Sequence, residues 1–184
     1  MGFKSSENGF GIMAAVEQIY EYTYPAGNNT TQVLIENIPQ TYRHLEVVVI
    51  GTNSTSGTSN MNVRPNSNSS SIYTFTSQFG NYGYGQTIVQ NQTFVGAAGS
   101  SPGATFIYTN TGFQSKIMFL DYSGTSGWWK NSYAETGYND LYAKNATTIK
   151  SGTVITSILF TAPTTAMRGG AKIWLNGWND IDNA

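Results

Sequence analysis

The feature that most constrains this fold is a series of short segments in which apolar and polar residues alternate, separated by turn-forming residues. β-branched residues dominate these segments: the 184-residue chain holds 23 Thr, 14 Ile and 9 Val but only 6 Leu, together with 12 Tyr, 9 Phe and 4 Trp. Such residues favour strands, and good helix formers are scarce. About eight to twelve short strands at this spacing predict an all-β fold, namely an antiparallel, jelly-roll-like β-sandwich without a helix longer than two turns.

The length of the chain fits one domain with short extensions at both ends. Residues 1–16 show no alternation and carry glycine at positions 2, 9 and 11, which predicts an extended N-terminal arm that becomes ordered on a neighbouring protein. Residues 17–178 form the predicted β-sandwich domain. Residues 179–184 form a predicted polar C-terminal tail.

Three local patterns give more detailed predictions. The segments Glu17–Tyr24 and Thr31–Glu36 are separated by turn residues, and this spacing predicts a hairpin. The continuous apolar run Val47–Ile50 is typical of a strand that is buried on both faces. The segment Gly80–Gly85 is rich in Gly and Tyr, which predicts a surface loop.

Alternation also predicts which side chains form the core. Inward-facing residues recur at every second position of a strand, so the apolar positions of each segment should lie between two sheets. The predicted core residues are Val47, Val49, Ile117, Phe119, Ile155, Ile158, Ile173 and Leu175.

Charge and composition exclude several classes of function. With 9 basic and 10 acidic residues and no basic cluster, the chain is not expected to bind nucleic acid or an anionic membrane. The absence of Cys excludes disulfides, thiolate metal sites and cysteine nucleophiles. The apolar stretch Ile12–Val16 is too short for a membrane span or a signal-peptide core.

Candidate catalytic and metal-binding residues are few. The sole histidine, His44, has one nearby carboxylate, Glu46, and we expect His44 and Tyr42 to satisfy local polar groups at the start of a strand. Asp180 and Asp182 carry oxygen ligands suited to calcium, but they lack the glycine and the distant glutamate of an EF-hand loop. We therefore predict no catalytic residue, no metal and no cofactor.

Aromatic and apolar side chains outside the predicted core are the candidates for interaction with other molecules. Trp128 and Trp129 would point to opposite faces if they lie in a strand, so one ring should be exposed. Aromatic rings serve both sugar stacking and protein interfaces, and the sequence leaves this choice open. The predicted interaction residues are Phe3, Phe10, Ile12, Met13, Tyr82, Tyr84, Trp128 and Trp129.

Three separated parts of the chain carry a resemblance to a known family. The stretch Ile38–Glu46, Ile-Pro-Gln-Thr-Tyr-Arg-His-Leu-Glu, resembles an IPxxYxHL signature of small tailed-phage, cyanophage-like virion proteins. Phe119–Tyr122 with Lys130 resembles a middle segment of that family. Val154–Phe160 and Gly169–Gly177 resemble its closing part, although Leu-Asn-Gly stands here in place of the usual Leu-Tyr-Gly.

The resemblance implies a structural role without enzymatic activity. We expect a virion protein, most simply a capsid decoration (cement) protein that forms a homo-oligomer, with a trimer favoured, and binds the major capsid protein or another virion protein on the capsid surface. Two alternatives stay open at this point. One is a tail fibre or receptor-binding domain that recognises host glycans, and the other is a jelly-roll polysaccharide hydrolase.

Overall fold

The computed structural model describes residues 16–27, 30–51, 59–81, 83–92, 94–95, 105–107, 113–125, 127, 129–138, 141–161 and 169–179. These residues form twelve strands and no helix, so the described chain holds no helix able to span a membrane. The strands are β1 (Glu17–Thr23), β2 (Gln32–Ile35), β3 (His44–Gly51), β4 (Ser59–Pro65), β5 (Tyr73–Asn81), β6 (Gly83–Gln92), β7 (Thr105–Ile107), β8 (Phe113–Leu120), β9 (Lys130–Tyr138), β10 (Leu141–Ile149), β11 (Ile158–Thr161) and β12 (Lys172–Trp178).

The strands form two antiparallel sheets that share one core. The large sheet has the order β1-β12-β3-β8-β9-β10-β5-β6, and the small sheet has the order β2-β11-β4-β7. Buried apolar side chains from both sheets belong to a single cluster. All eight predicted core residues lie in this cluster and are at most 2% exposed. The prediction of an all-β, antiparallel β-sandwich is therefore confirmed.

The connections between the strands follow a nested pattern. When the hairpins β5–β6 and β9–β10 are set aside, eight strands remain, and they pair first with last: β1 with β12, β2 with β11, β3 with β8 and β4 with β7. One long hairpin whose two arms wrap around a common core would produce this pairing. The two extra hairpins extend only the large sheet, beyond β8.

The predicted hairpin between the first two strands is wrong. β1 pairs with β12 in the large sheet, whereas β2 pairs with β11 in the small sheet. The backbone of Tyr24 bonds to the residues that precede β12, and the chain then crosses to the small sheet. β2 thus buries Val33 and Ile35 in the shared core, and β1 packs the partly buried Ile19 and Tyr22 against it.

Two other local predictions also need correction. The segment Gly80–Gly85 is not a surface loop but includes the paired ends of β5 and β6, in which Gly80 lies opposite Tyr84. β3 is not buried on both faces, because Ile50 is 37% exposed and Val48 is only half-buried. Within the described residues, no second layer covers the outer face of the large sheet at this point.

The limits of the predicted domain coincide with strand ends. β1 begins at Glu17 and β12 ends at Trp178. Residues 1–15 and 180–184 lie outside the described residues, so the N-terminal arm and the polar tail stay predictions.

Three buried tyrosines predict loss of stability at alkaline pH. Burial raises the pKa of Tyr122 to about 12 and also raises the pKa values of Tyr24 and Tyr73. In the unfolded chain these phenols have pKa values of about 10. Above that pH the folded state therefore binds more protons than the unfolded state. Their contribution to stability is therefore complete below about pH 10 and is lost as the pH rises toward the folded-state values.

We expect the free energy of unfolding, measured by urea denaturation, to decrease as the pH rises from about 9.5 to about 11. Tyr122 accounts for about 1 kcal/mol of this decrease, so in the Tyr122→Phe variant the total decrease over this pH range should be smaller by that amount. Parallel pH profiles for the parent and the variant would contradict the role assigned to this phenol.

Candidate functional site

The residues that carry the sequence resemblance meet at one end of β3. The Tyr122 hydroxyl donates to the Pro39 carbonyl, and the backbone N–H of Asp121 donates to His44 Nδ1 at 3.1 Å. The Lys130 ammonium donates to the carbonyls of Asp121 and Gly124, both at 2.8 Å. Two distant parts of the chain, residues 39–44 and 121–130, are thereby joined, and we call this cluster the junction.

Tyr42 extends the junction to the last strand. Its ring packs against Gly177, where a Cβ atom would collide with the ring. The Tyr42 hydroxyl donates to the Glu17 carboxylate, which raises the pKa of Tyr42, and the Tyr42 carbonyl accepts from Ser123 Oγ at 2.7 Å. Tyr42 and His44 thus bond to local groups where β3 begins, as the sequence predicts.

Lys130 is the buried charge of the junction. The residue is 5% exposed, and burial lowers the pKa of its ammonium. It also lines a cavity of about 140 Å³ together with Tyr73, Ile149 and Ile155. Because the ammonium donates to two backbone carbonyls, its evident function is to hold the 121–124 turn against β9.

The outer face of the large sheet carries an apolar area near β1, β12 and β3, which we call the β3 patch. It comprises Val48, Ile50 and Trp174, with Lys172 and Glu21 beside them. Lys172 Nζ lies 5.6 Å from the ring centroid of Trp174 and donates to Glu21 Oε1 at 2.6 Å. The hydrogen bond from Lys172 lowers the pKa of Glu21. The two charges of the patch are therefore paired.

Glu46 lies on the same face of β3 as Val48 and is buried. It forms an ion pair with Lys116 and accepts a hydrogen bond of 2.8 Å from Asn176 Nδ2. Burial raises the pKa of Glu46, but the hydrogen bonds from Lys116 and Asn176 outweigh this effect, and the pKa is lowered. Glu46 is thus a fixed carboxylate at neutral pH, with a different partner on each oxygen, and is poorly suited to donate a proton.

A second surface lies on the outer face of β8 and β9. A groove of about 430 Å³ is lined by Lys116, Met118, Leu120, Tyr133 and Glu135. Tyr133 is 42% exposed, and Trp129, which immediately precedes β9, is 61% exposed. Strand alternation places Trp129, Asn131 and Tyr133 on one face, and we call these three residues the aromatic strip.

The structure places few of the predicted interaction residues. Trp129 is exposed, and Tyr84 lies in β6. Neither Ile50 nor Tyr133 was predicted, and alternation gave no signal for either residue. Ile50 ends the continuous apolar run Val47–Ile50, and Tyr133 lies between the buried residues Ser132 and Ala134, one of which is polar. The remaining predicted residues lie outside the described part of the chain: Phe3, Phe10, Ile12, Met13, Tyr82 and Trp128, together with Asp180 and Asp182.

Searches for a metal-binding cluster among the described residues and for matching families or curated proteins found nothing. Among the described residues, no three His, Cys, Asp or Glu side chains form a group that could hold a metal ion. No protein-family model matches the chain, and a search of curated proteins finds no significant match.

Proposed function

We propose that this protein is a non-enzymatic structural component of a tailed-phage virion, a capsid decoration (cement) protein that forms homo-oligomers, with a trimer favoured, and binds the major capsid protein lattice. The sequence resemblance to small tailed-phage virion proteins supports the assignment to a structural virion protein. The junction supports a structural role, because residues that carry the resemblance hold the scaffold together through backbone contacts.

The connectivity supports a jelly-roll interpretation of the sandwich. Eight strands that pair first with last around one core are what two Greek keys in a double sheet require, with β5–β6 and β9–β10 as insertions. This architecture occurs in viral capsid proteins and in lectins. Since a fold hosts many functions, the fold agrees with the proposal but does not decide it.

The observation that carries the proposal is the β3 patch. The run Val47–Ile50 has the composition of a strand covered on both faces, yet the outer side chains Val48 and Ile50 retain exposure in the isolated chain. A protein partner on this face would complete the burial that the sequence pattern indicates. Burial of such side chains against a partner stabilises a complex by about 25 cal/mol per Å² of apolar area.

The charges around the patch fit a partner with an apolar, nearly neutral contact surface. Glu21 is paired with Lys172, and Glu46 is paired with Lys116. Charges that are already paired are less costly to bury than isolated ones, and they add little long-range steering. We therefore expect attachment to depend weakly on ionic strength.

A substitution in the patch tests the proposal. We expect Ile50→Asp to lower occupancy on purified particles that lack the protein by at least about tenfold, because it places a charge in the contact. Leu34→Asp is the matched control: Leu34 is 46% exposed on the outer face of the small sheet, and its variant should bind like the parent. Equal occupancy for the Ile50 variant would overturn the proposed contact.

The copy number separates a capsid location from a tail location. Densitometry of stained gels of purified virions should give hundreds of copies per particle for a cement protein, whereas a tail component is present in few copies. Light scattering after size-exclusion chromatography measures the oligomer in solution. A low copy number would overturn the capsid location and favour the tail-associated alternative.

A further inference from the structure

We propose that the aromatic strip of β9 binds a linear, neutral polysaccharide. The inference goes beyond the proposed virion role and does not rest on it. It is carried by the position, exposure and bonding of Trp129, Asn131 and Tyr133, and by the charge balance of the residues around them.

The spacing of the two rings suits an extended sugar chain. Trp129 and Tyr133 are four positions apart along an extended segment, which separates them by about 13 Å. This is approximately the length of a trisaccharide. Both rings present exposed apolar surface on which the C–H faces of sugar rings can stack, and a groove continues beside Tyr133 along β8.

Asn131 supplies a polar group between the two rings. Thr148 Oγ1 donates to Asn131 Oδ1 at 3.3 Å, so the amide oxygen has a partner within the sheet, and the Nδ2 group of the same amide is a hydrogen-bond donor. Sites for small ligands combine apolar and aromatic surface with a few placed polar groups that fix orientation. The Asn131 amide between the rings of Trp129 and Tyr133 combines polar and aromatic groups in this way, and its Nδ2 would donate to a sugar hydroxyl.

The charges beside the strip favour a neutral ligand. Glu135 lies 3.4 Å from Lys144, and Lys116 is paired with Glu46. The groove therefore presents balanced charges rather than an excess of either sign. A uronate or sulfated polysaccharide would find no excess positive charge here to attract its anionic groups. The hydroxyl groups of a neutral polysaccharide can bond to both the acidic and the basic side chains.

The strip and the β3 patch are separate parts of the same sheet face. β3 and β9 are separated by two strand-to-strand steps in the large sheet. The two sites are also displaced along the strands, because Ile50 lies opposite Gln114 of β8 whereas Tyr133 lies opposite Met118. Substitutions at Ile50 and Tyr133 therefore alter different parts of the face.

Affinity electrophoresis of the full chain tests the inference. The gels contain one soluble polysaccharide each: hydroxyethylcellulose, xylan and glucomannan as linear neutral chains, and alginate as a charged chain. We expect at least one neutral polysaccharide to retard the parent, and Trp129→Ala and Tyr133→Ala to weaken binding by about tenfold each. Tyr133→Phe keeps the stacking ring and should retain binding, and Leu34→Ala serves as the exposed apolar control.

Each result supports or overturns the inference. Circular dichroism first establishes whether each variant is folded. If an alanine variant is not folded, retardation of the Tyr133→Phe variant is measured in its place. Migration of the parent unaffected by all neutral chains, retardation by alginate alone, or full binding by both alanine variants would each overturn it. If Trp129→Ala instead lowers particle occupancy without any sugar binding, the strip is a protein contact. Failure of the Ile50 test leaves this result unaffected, because the two experiments probe different surfaces.

Discussion

Leu175→Ala is expected to lower the free energy of unfolding by about 2–5 kcal/mol. Leu175 is fully buried in β12, where it lies between Tyr20 of β1 and Val47 of β3. Strands on both sides fix the positions of these neighbours, so the site cannot collapse onto the space that the lost atoms leave. The cost therefore includes a cavity as well as the lost burial of apolar surface.

Leu34→Ala is the matched control, since it is the same substitution at an exposed position of β2, between Val33 and Ile35. We expect its stability to lie within about 0.5 kcal/mol of the parent value. Urea denaturation followed by tryptophan fluorescence measures both variants. If Leu175→Ala and Ile173→Ala both unfold like the parent, the register of β12 is incorrect.

The predicted core followed from local pattern because alternation in a half-buried strand reports directly on which face is covered. β10 was not predicted, and its inner face shows why. Its inward positions include the buried polar residues Asn145 and Thr147. Further along the sheet, Ser115 of β8 and Thr136 of β9 form a buried hydrogen bond of 2.9 Å. A strand whose buried side chains are polar shows no apolar alternation, so its pattern resembles that of a loop.

The strand partners could not be predicted from local sequence. The residues of β1 pair with residues about 150 positions later, and no local signal specifies a partner at that distance. Turn chemistry after β1 indicated only that the chain reverses, not that it crosses to the other sheet. The nested pairing accompanies the shared core, in which buried apolar side chains of both sheets pack together.

The candidate surfaces were partly predictable. Trp129 is exposed but precedes β9, and Trp128 lies outside the described residues, so the predicted alternation of the two rings stays a prediction. Tyr133 and Ile50 required the structure, because an apolar residue on an outer face has the same residue type as one in the core. The junction required it too: the spacing of Tyr42, His44 and Lys130 along the chain does not show that they meet.

Lys130→Met is expected to lower the free energy of unfolding by about 2–4 kcal/mol. Methionine keeps the apolar stem but removes the ammonium, and the carbonyls of Asp121 and Gly124 lose the donor that each now has at 2.8 Å. Asp121 adopts a positive φ of 51°, in the left-handed region that Asp tolerates better than most residues other than glycine. Loss of the ammonium therefore removes the two hydrogen bonds that hold this turn.

The matched control is Lys150→Met, which makes the same substitution at an exposed lysine just after β10 and should change stability by no more than about 0.5 kcal/mol. Hydrogen exchange provides a second measurement, because the amide of Asp121 donates to His44 and should exchange faster once the turn is released. Removal of a buried ammonium also removes the cost of its desolvation, which is why we expect less than the sum of two charged hydrogen bonds. If Lys130→Met unfolds like the Lys150 variant and the exchange of Asp121 is unchanged, the ammonium does not hold the turn, and the structural account of the junction fails.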